Sequence, residues 1–358
     1  MPARYAGAAA AALVLLVAAG CGGDATEEEP APAPAPSSES SEPAEPSQTS
    51  DPATIDWQPV PGPVEDSVTS NGTWTLTVSE DRREATLESA DSGSASGGSG
   101  LVSDALLTDT HALVVHQDPE EMEPARAVLT ELATGEETVL DGGSEVPTTT
   151  GGTWALGPDT LVHATVGPGR AYCLATVDLA TGEATRGWCA PRRHGFTDAR
   201  ITAAGTTLQT FDDSRPSCRT VATVEGTELV PFPDAPDCTA WDGLVLDSGQ
   251  VWSVVRKEND VERVDLFATG PDGGDPVELG PGTSGTLVAC GDAAYVVRDP
   301  QGPREPARLV RWDGTTAETV YESPAGPAFL DTPRCGGDVL TVTAYAEGGD
   351  EQVTATVG

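Results

Sequence analysis

NGTWTLTVSE, Asn71 to Glu80, opens a pattern that returns six more times along the 358-residue chain. THALVVHQDP starts at Thr110, DTLVHATVGP at Asp159 and GTTLQTFDDS at Gly205. GQVWSVVRKE follows at Gly249, DAAYVVRDPQ at Asp292 and GDVLTVTAYA at Gly337. The intervals are 39, 49, 46, 44, 43 and 45 residues. Three places after each turn residue stands Trp74, Leu113, Val162, Leu208, Trp252, Tyr295 or Leu340; five places after it stand Leu76, Val115, Ala164, Thr210, Val254, Val297 and Val342. A spacing of two puts both positions on one face of a β-strand.

Further strands flank each of these. ARAVLTELATGEETVLDGG (Ala125–Gly143), AYCLATVDLATGEATRGWC (Ala171–Cys189) and PARLVRWDGTTAETVYESP (Pro306–Pro324) each hold two short runs broken by Thr-Gly or Asp-Gly, a hairpin signal. GFTDARI, TAWDGLVL, GTLVAC and FLDTPRC supply one more strand before a turn. Four short antiparallel strands in 43–49 residues make one blade of a β-propeller. DLATGEATRG and LVRWDGTTAETVYE resemble the outer hairpins of YVTN- and TolB-like propellers, a likeness of pattern over residues 53–358. The expectation is an all-β, seven-bladed β-propeller of four-stranded antiparallel blades. A pair of β-sandwiches is the competing architecture, and the steady interval disfavours it. The chain ends at EQVTATVG, three strands into the seventh unit, and TIDWQPVPG around Ile55 and Trp57 precedes the first. Pairing that segment as the missing N-terminal outer strand closes the ring without a free edge. The run DSGSASGGSG has no apolar residue for the first blade's fourth strand apart from Ala95, so that blade is expected to be ragged.

Residues 1–20, MPARYAGAAAAALVLLVAAG, carry one positive charge at Arg4 and then a small-apolar run too short to span a bilayer. That is the signal-peptide pattern. Ala18-Ala19-Gly20-Cys21 resembles the lipobox of bacterial lipoproteins, although Ala18 stands where Leu or Val is usual. The resemblance implies cleavage before Cys21, lipid attachment on that thiol, and a place on the extracytoplasmic face of the cell membrane. Residues 21–52 continue as an acidic Pro/Ser/Glu stretch without aromatic, branched aliphatic or basic residues. Such a composition cannot bury enough apolar surface to order itself, and it reads as a linker. Arginine outnumbers lysine eighteen to one, which, with abundant Ala, Gly, Pro and Thr, is similar to actinomycete usage.

Net charge is −38, a field that opposes nucleic acid and anionic lipid and favours basic partners. Setting Cys21 aside leaves six cysteines, an even number that outside the cytoplasm implies disulfides. Repeat phase pairs them as Cys173–Cys189, Cys218–Cys238 and Cys290–Cys335. No C-x-x-C, G-x-S-x-G, H-E-x-x-H, Walker or G-x-G-x-x-G motif is present, so no catalytic residue and no cofactor is assigned. His111, His116, His163 and His194 are not spaced as ligands, and the tryptophans read as packing between sheets. One polar feature recurs. Asp104, Asp198, Asp242 and Asp331 fall six or seven places before a turn residue, with Asp66 five before Asn71. On inner strands they would line the central channel, either taking backbone bonds from the next blade or forming a site for a cation or cationic ligand at one channel mouth. The function expected is a membrane-anchored binding or scaffolding module for an extracytoplasmic protein or glycan; the rival is a hydrolase or lyase with its active site at the channel mouth. Palmitate labelling checks the anchor: the wild-type chain is expected to take up label and Cys21→Ala to take up none. An unlabelled wild-type chain would remove the lipoprotein reading.

Overall fold

A computed structural model describes residues 55–358, apart from 91, 92, 98, 99, 258, 259, 303 and 325 and the side chains of 94–97. The expected signal peptide, Cys21 and the acidic linker lie outside the described residues. Strands dominate what remains. The sole helical element among the described residues is the single 3-10 turn Pro168–Arg170.

The fold is an all-β propeller of four-stranded antiparallel blades. Each repeat unit runs from an inner strand outwards, as in Leu101–Leu107, His111–Gln117, Arg126–Glu131 and Glu137–Leu140. Five blades stand as separate four-stranded sheets, not the seven expected. The second unit and the last, Arg334–Gly336, Val339–Ala346 and Glu351–Thr356, belong to one nine-stranded sheet through a parallel bridge between Gly336 and Leu107. Glycine is needed at 336 for a different approach, to the first unit: a Cβ there would come within 2.5 Å of the Ser70 carbonyl oxygen. In the first unit, Gly93–Gly97 pairs along Glu84–Ser89 and completes the blade, because backbone hydrogen bonds need no apolar side chain.

The second strands explain why the repeat reads as it does. His111–Gln117 is buried at five consecutive positions, Ala112 to His116. Ala112 and Val114 join a cluster with Leu76, Val78 and Leu87 of the first unit. Leu113 and Val115 join another with Trp154, Leu161 and Val177 of the third. Alternate residues of one strand therefore serve two neighbouring sheets. The sixth unit does the same, with Ala294 and Val296 facing the fifth and Tyr295 and Val297 facing the seventh.

The turns between first and second strands, and between third and fourth, lie at one end of the ring, here the turn face. Second-to-third and unit-to-unit connections lie at the other, the loop face. Cys173–Cys189 and Cys218–Cys238 brace the loop face, and Cys290–Cys335 ties two inner-strand ends at the turn face, all three paired as repeat phase requires.

Closure by the N-terminal strand is confined to two residues. Gln58 and Pro59 pair with Thr354 and Val353. Trp57 adds the anchor: its indole N–H donates to the Val320 carbonyl at 2.9 Å and its ring meets Tyr321 edge-on at 5.5 Å. Ile55 packs on the same cluster. A chain starting at Pro63 loses all of this, and its urea unfolding midpoint should fall by the equivalent of about 3 kcal/mol relative to one starting at Ala53. Equal midpoints would show that the closing strand contributes nothing.

Candidate functional site

The recurring acids share a backbone feature that their spacing hid. Ladder register shifts between Val102 and Asp104, between Thr197 and Arg200, and between Ala240 and Gly243. Asp331 lies in the break between Ala328–Leu330 and Arg334–Gly336. All four therefore mark a bulge or an interruption of an inner strand, where a side chain is re-aimed.

The acids are drawn into two arginine-centred groups. In the first, Arg200 donates to both oxygens of Asp198, at 2.9 and 3.0 Å, and to Asp242 Oδ1 at 3.1 Å. The other Asp242 oxygen accepts from Ser253 Oγ at 2.8 Å and from the Gly285 N–H at 3.0 Å, the latter a backbone bond from the next unit. Burial works against the Arg200 charge, but the two carboxylates outweigh it and hold its pKa raised. Asp242 is 1% exposed, and burial pushes its carboxyl up to about 6 against the pull of Arg200. The second group is looser and holds no ion pair among the described residues: burial raises Asp104 and lowers Arg334, Asp331 and Asp104 act on Arg334 through their charge alone, and Arg82 acts on both Asp104 and Arg334. Arg334 also donates to Ser67 Oγ at 3.1 Å. Asp66 accepts from the Glu80 N–H at 3.0 Å.

The histidines stay apart. His163 is buried, stacked on Trp154 at 4.9 Å and bonded to the Ala164 carbonyl. His116 is buried on the strand where His111 is half-buried, and His194 is exposed. Among the described residues no three His, Cys, Asp or Glu side chains are grouped to hold a metal.

On the loop face, beside Asp198 and Asp242, lies an open dish of 460 Å³. Its floor is Phe196, buried and packed on Tyr172 at 4.5 Å and Trp188 at 5.7 Å. Phe211 lies across Gly195, where a Cβ would come within 2.6 Å of the ring; any larger residue would displace it. Arg219 sits 4.5 Å above the Trp241 ring. Gln209 holds the Trp241 backbone with a 2.6 Å bond to its carbonyl. Both loop-face disulfides reach this rim, since Cys173 follows Tyr172 and Cys218 precedes Arg219. Arg170, Arg193 and Cys238 in the surrounding connections, and Asp198 at its bulge, all adopt positive φ, a strained conformation that needs local support.

The reading of every tryptophan as packing missed Trp241, and Tyr172, Phe211 and Arg219 carried no motif. Three of them share a signal, adjacency to cysteine or to an inner-strand acid: Tyr172 beside Cys173, Arg219 beside Cys218, Trp241 beside Asp242; Phe211 has none.

No protein-family model matches the sequence, and no curated protein matches it. Solved structures share the fold. The β-propeller domain of the Trilobed protease from Pyrococcus furiosus superposes with a TM-score of 0.56 at 9% identity, over 81% of this chain and 94% of that one. Oligogalacturonate lyase from Vibrio parahaemolyticus gives 0.51 at 12% identity, over 86% and 98%. At such identities the likeness defines a class, the β-propeller.

Asp242 allows a pH test. Its folded pKa lies above the ordinary carboxylate value of 3.8, so its contribution to stability is present at low pH and is lost as pH rises from about 4 through about 6. The stability of the wild type relative to Asp242→Asn should therefore fall by about 2 kcal/mol between pH 4 and pH 7. Parallel pH–stability curves for the two proteins would show the carboxyl to be unshifted.

Proposed function

We propose that the chain is an extracytoplasmic lipoprotein, anchored through Cys21, whose propeller is a binding module that presents its loop face to a protein or glycan. The observation that carries this reading is the loop-face dish, where half-buried aromatic rings and a cation stand open above a buried polar group. The closing strand supports the orientation. Gln58–Pro59 runs antiparallel to Glu351–Thr356, so the described chain enters from the turn face. We also read the nine-stranded sheet as two blades, which makes seven in all. In support, six apolar clusters each join one repeat unit to the next.

A second reading, a hydrolase or lyase working at the channel mouth, has one observation in its favour: the raised Asp242 carboxyl and Arg200 lie beside the dish. Geometry weighs against it. Asp242 is 1% exposed and both of its oxygens are hydrogen-bonded, so no substrate atom reaches it. The cation site among the four aspartates is the weaker proposal, since Arg200 already bridges Asp198 and Asp242.

Photo-crosslinking in the native membrane separates these readings. A photoreactive residue at Thr197, exposed on the loop face, should capture a partner that the same residue at Ala204, exposed on the turn face, does not. Capture from Ala204 alone, or from neither position, would overturn the binding role.

A further inference from the structure

Against an overall charge of −38, residues 170–219 hold seven of the eighteen arginines and only five carboxylates. The register sorts these charges by face. Asp178 and Glu183 flank the turn between the third and outer strands of their unit, on the turn face. The loop-face acids of this stretch are occupied. Asp198 binds Arg200, Asp213 binds Arg193, and Asp212 accepts from Ser214 and from the Cys218 N–H. By contrast Arg170, Arg192 and Arg215 are exposed in loop-face connections, and Arg219 lines the dish. None of these four has a carboxylate partner among the described residues. An acidic molecule meets four cations here that no carboxylate pairs, and the exposed Asp234 and Asp237, in the connection before Trp241, lower but do not cancel their pull.

The dish itself selects the shape of that anion. The chain has only seven Trp, five Tyr and five Phe, and Tyr172, Phe196, Phe211 and Trp241 all line this one depression. Aromatic faces give a small inorganic anion nothing, but they stack on the C–H face of a pyranose ring. Arg219, held over Trp241, has its planar donors for a carboxylate, the geometry in which guanidinium bonds are strongest. The backbone here is already paired, Phe211 with Gly195 on one side and Arg219 on the other. An occupant therefore meets side chains and no open strand edge, which suits a sugar chain better than an extended peptide.

We infer that the loop-face dish around Phe211, Arg219 and Trp241 is a binding site for an acidic saccharide, its sugar ring lying on the aromatic faces and its carboxylate on Arg219. The assignment rests on the binding-module reading and gives that reading a ligand class. The bond is non-covalent and needs no cofactor.

Titration of the purified full chain with an alternating glucuronate–N-acetylglucosamine hexasaccharide tests it, beside the neutral N-acetylglucosamine hexamer and a glutamate-rich peptide. The acidic hexasaccharide should bind at least about tenfold more tightly than the neutral one, and more weakly as salt is raised. Arg219→Gln and Trp241→Ala should each weaken it about tenfold or more, while Arg304→Gln, exposed on a different unit, leaves it unchanged. Thermal midpoints of the variants check folding, and Arg219→Gln removes one charge and its contact with Trp241 while keeping the strand pairing of Phe211 with residue 219, so the test survives if Trp241→Ala is unstable. No binding of the acidic hexasaccharide, equal binding by Arg219→Gln, or Arg219-dependent binding of the peptide alone would each overturn the assignment. If face-selective capture from Thr197 persists after such a result, the binding role stands and only the saccharide is wrong; if both fail, both readings fall.

Discussion

The second strands of units inside the array, such as His111–Gln117 and Ala293–Arg298, are asked to be apolar on two sides at once. Tyr295 and Val297 point into one neighbour and Ala294 and Val296 into the other, so no blade has a solvent face on which to rest alone. A single four-stranded sheet of this composition would expose an apolar surface on either side and would associate with whatever lay nearest. Stability is therefore a property of neighbouring pairs, as in other repeat architectures, and the ring arrangement is the one that gives each member two partners. The near-constant interval follows from this, because a unit that grew or shrank by a strand would leave one face uncovered.

The constraint relaxes where the last unit meets the first. Thr75 and Thr77 alternate with Leu76 and Val78, and Thr341 stands between Leu340 and Val342. The inward residues serve the neighbour away from the seam, and the threonines face a 510 Å³ cavity that Thr354, Ser70 and Asp66 also line. Polar bonds span the gap. Gln352 donates to the Asp66 carbonyl at 3.0 Å, and Arg334 reaches Ser67. Consecutive repeat units are thus sealed to one another by apolar packing, whereas the last unit and the first meet through hydrogen bonds.

Period-two alternation made the strands legible in the sequence, and the turn residues set their phase. The three disulfides followed from that phase, since Cys173 and Cys218 stand 45 residues apart, as do Cys290 and Cys335. The sheet count was not legible. Whether Gly336 touches Leu107 depends on how near the axis two inner strands come, which spacing along a chain does not encode. The acids were found but their company was not. Arg200 is two residues from Asp198, and only the bulge turns both toward Asp242 on the next unit. The dish was hidden for a related reason. Its aromatics come from the ends of strands in three different units, and in each unit the matching residue of the others is ordinary.

Trp57 and the two residues after it also set how the domain answers a pull. Any tension carried by the chain before Ile55 enters through one indole hydrogen bond and the two backbone pairs of Gln58 and Pro59. Only the Val60 N–H, donating to the Gln352 carbonyl at 2.8 Å, adds to these before the chain crosses the loop face to the first inner strand at Ser67. The mechanical strength of a domain of some three hundred residues is then that of its smallest strand. Once that strand is drawn off, the outer edge of Glu351–Thr356 is bare, and stretching has become a way of uncovering a sheet edge.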